Sequence, residues 1–247
     1  MCKIKKTLLL WSGMIVLILS SLALSQKTDD LQDILKKVEG SIYPENVVFV
    51  AEMTIHRPHK EYHKKIKVYL KGNERSLVEF LEPAQERGLK VLNIDKNMWM
   101  FLPSVDKVIR LSGKMSVTGG DFVYDDILRV KYGIDYSPAS LSIEGQHYLL
   151  ALKAKTNRAS YKEILIRVNP ESYLPISQEF YVSGDLLLKR LTYLQPKLFE
   201  GRSIPSQFLM EIANSKDFKT TLNIVDYSNT HEIPERVFTQ EYLKKGL

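Results

Sequence analysis

The sequence predicts a mainly β protein with a few α-helices, folded as one large domain around a long antiparallel sheet that curls. Three observations carry this expectation. Most of the chain after Pro44 alternates apolar and polar side chains with a period of two. Turn-forming pieces such as Lys71-Gly72-Asn73-Glu74, Asn169-Pro170-Glu171 and Ser183-Gly184-Asp185 break the alternation at roughly 8–12-residue spacing. No repeat, low-complexity stretch or linker divides it.

One amphipathic helix precedes the alternation. Thr28 is a good N-cap, and Asp29 and Asp30 suit the positive end of the helix dipole. Leu31, Ile34, Leu35 and Val38 recur at helical spacing, Lys36 and Lys37 close the last turn, and Gly40 stops it. A helix with one apolar stripe must lie against something, so the segment from Asp29 to Glu39 is a natural lid.

After Pro44 the residues Val47, Phe49, Ala51, Met53 and Ile55 share one face of a strand. A turn at Arg57-Pro58 leads into Lys64–Leu70, and strands follow at Ser76–Leu81, Lys90–Ile94, Asn97–Leu102 and Lys107–Leu111. The middle reads differently. Ser112–Gly120 is rich in Gly, Ser and Thr, Phe122–Leu128 reads as a short helix, and Ile134–Leu141 reads as irregular because of Pro138. Strands resume at His147–Lys155, Tyr161–Asn169, Ile176–Val182, Leu186–Gln195, Ser206–Asn214 and Thr220–Ser228, and the tail from Ile233 reads as extended and then helical. A sheet of ten or so strands tends to curl, and its concave apolar face must be filled, covered or occupied.

The beginning of the chain carries an address. Lys3, Lys5 and Lys6 form a basic start, Leu8 to Leu24 is apolar with few breaks, and Ala23-Leu24-Ser25 places small residues at −3 and −1 of a cut before Gln26. That is the pattern of a secretory signal peptide over residues 1–25, followed by one domain over 26–247. An uncleaved anchor in the inner membrane is the alternative, because the apolar stretch is near the lower limit of the ~17–25 residues a membrane helix needs. Cys2 is the one cysteine. A cleaved chain therefore has no disulfide, thiol nucleophile or cysteine metal site. The formal charge is +6 with three lysines in the leader, so the remainder carries +3, with charges interspersed. No basic face with interleaved aromatics marks a nucleic-acid binder.

The polar residues give little reason to expect an enzyme or a cofactor. No Gly-x-Ser-x-Gly elbow, His-Glu-x-x-His pair or phosphate loop occurs. His56, His59 and His63 are a weak metal-site candidate, since imidazoles so spaced can bind zinc. Pro58, Lys60, Lys64 and Lys65 around them read instead as a solvated hairpin tip. Asp121, Asp125 and Asp126 are close in sequence but match no calcium loop, and Asp121 reads as a helix cap beside Gly119 and Gly120. Met98-Trp99-Met100-Phe101-Leu102-Pro103 is the densest apolar patch after the leader.

Several pieces in order resemble a known family. They are Phe80-Leu81-Glu82-Pro83-Ala84 with Arg87-Gly88, then Met98 to Ser104, Val108-Ile109-Arg110-Leu111, and Gly120-Asp121-Phe122 with Tyr124-Asp125-Asp126. Leu174-Pro175-Ile176, Glu179-Phe180-Tyr181, Gly184 to Lys189 and Ile233-Pro234-Glu235 continue the match. Together they resemble the outer-membrane lipoprotein-sorting proteins of Gram-negative bacteria, the LolA-like carriers. The resemblance implies an unclosed half β-barrel, LolA/LolB-like, capped by helices over an apolar cavity. It implies a periplasmic carrier that shelters lipid or lipoprotein acyl chains for transfer to the outer membrane. Implied partners are an inner-membrane transporter of the resistance–nodulation–division type and an outer-membrane acceptor, with no cofactor. The alternative is an adaptor subunit of such a transporter with no cargo of its own, and a metal-dependent hydrolase ranks last. The cavity residues are expected among Phe49, Met53, Phe80, Trp99, Met100, Phe101, Phe180, Leu188, Met210 and Leu222. Strand parity puts Trp99 and Phe101 opposite Met98 and Met100, so only one of these pairs faces inward.

Overall fold

The computed structural model describes residues 30–41, 45–72, 74–95, 97–128, 132–229 and 232–245. The leader and the expected cap at Thr28 and Asp29 lie outside them. Residues 30–41 are helical and form α1, with Leu31, Leu35 and Val38 buried as the stripe requires. The strands are β1 (Asn46–Arg57), β2 (Lys60–Lys71), β3 (Arg75–Glu82), β4 (Lys90–Ile94), β5 (Asn97–Leu102) and β6 (Lys107–Leu111). After a short helix α2 (Tyr124–Leu128) come β7 (Tyr136–Glu144), β8 (His147–Ala154), β9 (Glu163–Val168) and β10 (Pro175–Ser183). The last strands are β11 (Leu186–Phe199), β12 (Arg202–Ile212) and β13 (Lys219–Ser228), and α3 (Gln240–Lys245) follows a 3-10 turn at Glu235–Phe238.

All thirteen strands belong to one antiparallel sheet in the order β6-β5-β4-β3-β2-β1-β13-β12-β11-β10-β9-β8-β7. Every neighbour is a hairpin partner except β1 and β13, which pair His56 with Lys219 and Val48 with Ser228. The two edge strands, β6 and β7, are consecutive in the chain yet lie at opposite edges of the sheet. The half-barrel is therefore unclosed, and residues 112–128, which contain α2, and 132–135 lie over its open side.

One expectation is corrected. Ile134–Leu141 is not irregular, because β7 runs from Tyr136 to Glu144. Pro138 is accommodated by a register shift between Pro138 and Ser140. An edge strand tolerates a residue without an N–H, since one side of it needs no ladder bond.

Alternation sorts the side chains onto two faces. Val47, Phe49, Ala51, Met53 and Ile55 of β1 join Ile66, Val68, Val78, Phe80, Ile164, Ile166, Phe180, Phe208, Met210, Leu222 and Ile224 in one concave core, with α1 and the bridging segment packed into it. A second core lies on the convex face. Tyr69, Leu77, Leu92 and Phe101 meet Ile233, Val237, Phe238, Tyr242 and Leu243 there, so the C-terminal segment straps β3, β4 and β5 from outside. Each large apolar side chain so buried contributes about 1.5–3 kcal/mol.

The strap is also held at polar points. Lys71 Nζ donates to the Ile233 carbonyl at 2.9 Å and pairs with Glu235 at 2.8 Å, and Lys90 Nζ donates to the Tyr242 carbonyl at 3.0 Å. Burial lowers the Lys90 ammonium below its ordinary pKa, against the opposing pull of Glu79.

Candidate functional site: a plugged apolar cavity

The concave face and the bridging segment enclose a cavity of about 50 Å³. The sheet supplies an apolar wall: Phe49 from β1, Leu222 from β13, Phe208 from β12, Leu191 and Tyr193 from β11, and Phe180 from β10. Tyr193 meets Phe208 edge-on with ring centroids 5.5 Å apart, and Tyr161 lies 4.5 Å from Phe180. The opposite wall is mixed, with Phe122 and Ile127 beside Asp125, Asp126, Asp135, Ser160 and Tyr161.

The bridging segment is a plug. Val117, Phe122, Tyr124 and Ile127 are all buried in the concave core and occupy space that the open half-barrel would otherwise leave empty. Three features let a short loop fold inward. Ser116 bridges Val123 as in a small hairpin, Val123 N–H caps onto Asp126 Oδ2 at 2.8 Å, and residue 113 is glycine. A Cβ at Gly113 would sit 1.8 Å from Asp125 Oδ1, so no side chain fits there.

Carboxylates pin the plug to four parts of the sheet. Arg57 at the end of β1 donates two bonds of 3.0 Å to the Asp121 carboxylate and one of 2.7 Å to the Gly119 carbonyl. Thr220 of β13 donates its hydroxyl to Asp121 Oδ2 at 2.7 Å and accepts the Asp121 N–H at 3.0 Å. Lys189 of β11, 2% exposed, donates to Asp126 Oδ2 at 2.6 Å and to the Asp121 carbonyl at 2.9 Å. In the β8–β9 loop Tyr161 donates its hydroxyl to Asp126 Oδ1 at 2.7 Å, and Ser160 donates to Asp125 Oδ2 at 2.5 Å. Burial first, and then the charge of Asp126, raises the Tyr161 phenol well above its ordinary value of 10.0, so it stays a donor.

The expected cavity residues divide. Phe49, Phe180 and Leu222 line the cavity. Met53, Phe80, Met100 and Met210 are buried in the same core away from that lining. Trp99 and Phe101 belong to the convex core under the strap, which settles the parity of β5: Met98 and Met100 face inward. Leu188 is a correction of another kind. It points away from the core and is 38% exposed, while its neighbour Lys189 faces inward.

The histidines do not converge on a metal. His56 Nδ1 lies 2.7 Å from Glu61 Oε1, His63 Nδ1 lies 3.3 Å from Thr54 Oγ1, and His59 sits exposed at the hairpin tip with φ +67°. Among the described residues no group of three His, Cys, Asp or Glu is arranged to hold a metal ion. The sequence reading missed Phe122, Tyr161, Tyr193 and Lys189. Phe122 and Tyr161 are expected to open a helix and a strand but lie just before α2 and β9, and a lysine after three leucines reads as surface.

Comparison with known proteins agrees with this geometry. A LolA superfamily protein from Nitrosomonas europaea superposes with a TM-score of 0.77 at 29% identity, covering 85% of this chain and 98% of that one. A domain from Vibrio parahaemolyticus, described as that of an outer membrane lipoprotein-sorting protein, gives 0.74 at 19% identity over 86% and 97%. A third solved structure, of a protein from Desulfovibrio piger, gives 0.77 at 21% identity over 87% and 98%. No curated protein matches the sequence. The fold is that of the LolA superfamily, and the chain belongs to the family whose model, described as an uncharacterized protein, matches residues 72–245.

Proposed function

We propose that this chain is a carrier of lipid or lipoprotein acyl chains, working by sheltering and release and not by catalysis. One observation carries the reading. An apolar concave face that a single sheet cannot cover is filled by a plug held through polar contacts, and polar contacts can be exchanged for water. An acyl chain gains ~0.8 kcal/mol per CH₂ taken out of water, so a chain of about sixteen carbons repays a substantial opening. A cavity of about 50 Å³ holds a fraction of such a chain, against the ~300–1,000 Å³ of ordinary ligand sites. Loading therefore requires residues 113–127 to swing out, with Phe122 and Ile127 replaced by cargo.

A buried ion pair suits this role. Its desolvation nearly cancels its attraction, so the Lys189–Asp126 contact holds position without adding a large barrier to opening. The relative from Nitrosomonas europaea, a LolA superfamily protein, supports the assignment. With it come the periplasm as the working compartment, residues 1–25 as a cleaved leader, and a membrane transporter and an outer-membrane acceptor as partners.

The small cavity also favours a second reading, an adaptor for a transporter of the resistance–nodulation–division type that carries nothing. Native mass spectrometry of protein purified from bacterial periplasm, followed by solvent extraction, separates the two. A phospholipid, fatty acid or acylated peptide at about one per chain supports the carrier. A clean mass with no uptake of a fluorescent fatty acid would support the adaptor instead.

A further inference from the structure

One end of the sheet carries features that the cavity does not use. Antiparallel alternation places the β1–β2, β3–β4, β5–β6, β8–β9, β10–β11 and β12–β13 connections at the same end. The plug is anchored there too, through Arg57 at the β1–β2 tip. The connections touch one another. The Arg57 guanidinium lies 5.0 Å from the Phe218 ring in the β12–β13 turn, and Lys114 Nζ donates to the Asn157 carbonyl of the β8–β9 loop at 3.2 Å.

Large apolar side chains protrude from this end singly. Phe218 is 41% exposed, Met115 50% and Leu186 57%, with Tyr62 and Val105 nearby at neighbouring tips. Lysines stand within two residues of four of them, Lys60 of Tyr62, Lys107 of Val105, Lys114 of Met115 and Lys216 of Phe218, and the acids Glu61, Asp106, Asp185 and Asp217 are interspersed. Lys60 Nζ lies 4.6 Å above the Tyr62 ring. Next to them the β8–β9 loop forms an open cleft of about 280 Å³ lined by Lys153, Lys155 and Lys162, with Glu163 the one carboxylate in its wall. Lys155 and Lys162 hydrogen-bond uncharged oxygens, those of Gly133 and of the Asn157 side chain.

We propose that this end docks on an anionic lipid bilayer, with the cleft of Lys153, Lys155 and Lys162 facing headgroup phosphates and Met115, Leu186 and Phe218 entering the interface. A protein partner is matched by a continuous packed patch. Separate apolar anchors around a lysine-lined cleft instead match a bilayer surface, which accepts them one by one and attracts basic residues at the headgroup level. Docking in this orientation brings the exposed part of the plug, Lys114, Met115 and Ser116, to the lipid. The surface stands whether or not the cavity takes an acyl chain.

The test uses the chain from Gln26 onward, which has no cysteine of its own and no apolar leader to bind vesicles, with one new cysteine carrying an environment-sensitive fluorophore. The positions are Met115→Cys, Leu186→Cys and Phe218→Cys at this end, and Ile143→Cys and Leu198→Cys, exposed at the other. Each is mixed with vesicles of phosphatidylcholine alone or with added phosphatidylglycerol. A blue-shifted rise at 115, 186 and 218 with the anionic vesicles, none at 143 and 198, and a loss of binding by about tenfold or more in Lys153→Glu/Lys155→Glu/Lys162→Glu are expected. No rise at any position, an equal rise at both ends, or indifference to charge reversal would overturn the proposal. Fatty-acid uptake by the same preparations is read separately, and its absence beside intact docking would count against the carrier reading alone.

Discussion

The sheet has an apolar core on each face, and the two are closed by different means. On the convex face Val237, Phe238, Tyr242 and Leu243 form a strap of mainly apolar contact. Its acidic anchor, Glu235, is exposed and pairs with Lys71 and Arg75 at the surface. On the concave face the plug is fastened by buried or half-buried charges, Arg57 to Asp121 and Lys189 to Asp126, and it leaves a cavity. Apolar contact is strong and loses everything on separation. A buried ion pair fixes geometry while adding little net stability, since water solvates both partners once they part. On the carrier reading proposed above, the convex closure stays in place and the concave one moves.

The largest expected effects separate the two closures. Lys189→Met leaves Asp126 as an uncompensated buried charge and lowers unfolding free energy by about 3–5 kcal/mol. Lys189→Met/Asp126→Asn keeps a carbonyl acceptor for the Val123 N–H while the amide NH2 can donate to the Tyr161 hydroxyl oxygen, and urea denaturation should show most of that loss restored. If the single and double variants are equally unstable, the pair is not the fastening described. Truncating one ring on each face comes next. Phe238→Ala and Phe122→Ala each cost about 3–5 kcal/mol. Only Phe122→Ala enlarges the cavity, so fluorescent fatty-acid binding should tighten there and stay unchanged in Phe238→Ala.

Alkaline titration probes the cores through their tyrosines. Burial raises the phenols of Tyr124, Tyr136 and Tyr161 on the concave side above 10.0. Below that value folded and unfolded chains both keep the protons and nothing is lost. Above it the unfolded chain releases protons that the folded one retains, so stability falls as pH rises. Absorbance of ionised tyrosine should therefore appear partly in a cooperative step coincident with unfolding, not as one smooth titration near pH 10. The smallest effect is predicted for Glu235→Gln. Its ion pairs lower the carboxyl pKa but lie in solvent, so the melting temperature should not change measurably.

Much of this architecture was legible because period-two alternation reports directly on a face-sorted sheet. β4, β5 and β6 have the bounds that the alternation predicts, and the stripe of α1 is buried as expected. Legibility failed where both faces or neither are covered. β5 is apolar on both sides because core lies on both sides, so its sequence could not say that Trp99 points to the strap and Met100 to the concave core. β7 is a Ser- and Pro-containing edge and lacks the signature of a buried strand. In β11 the rule inverts, with Leu188 exposed and Lys189 buried, because a carboxylate 63 residues away in the chain supplies its partner. Asp121, Asp125 and Asp126 read as a local turn for the same reason: their partners on β1, β8–β9, β11 and β13 are brought to them only by the fold.

Hydrogen exchange with and without a bound fatty acid tests the difference between the two closures most directly. Amides of residues 113–127 should lose protection when fatty acid binds, while those of 233–245 keep theirs. Unchanged protection across 113–127 in a protein that demonstrably holds fatty acid, or equal loss in the strap, would contradict a plug that yields its place to cargo.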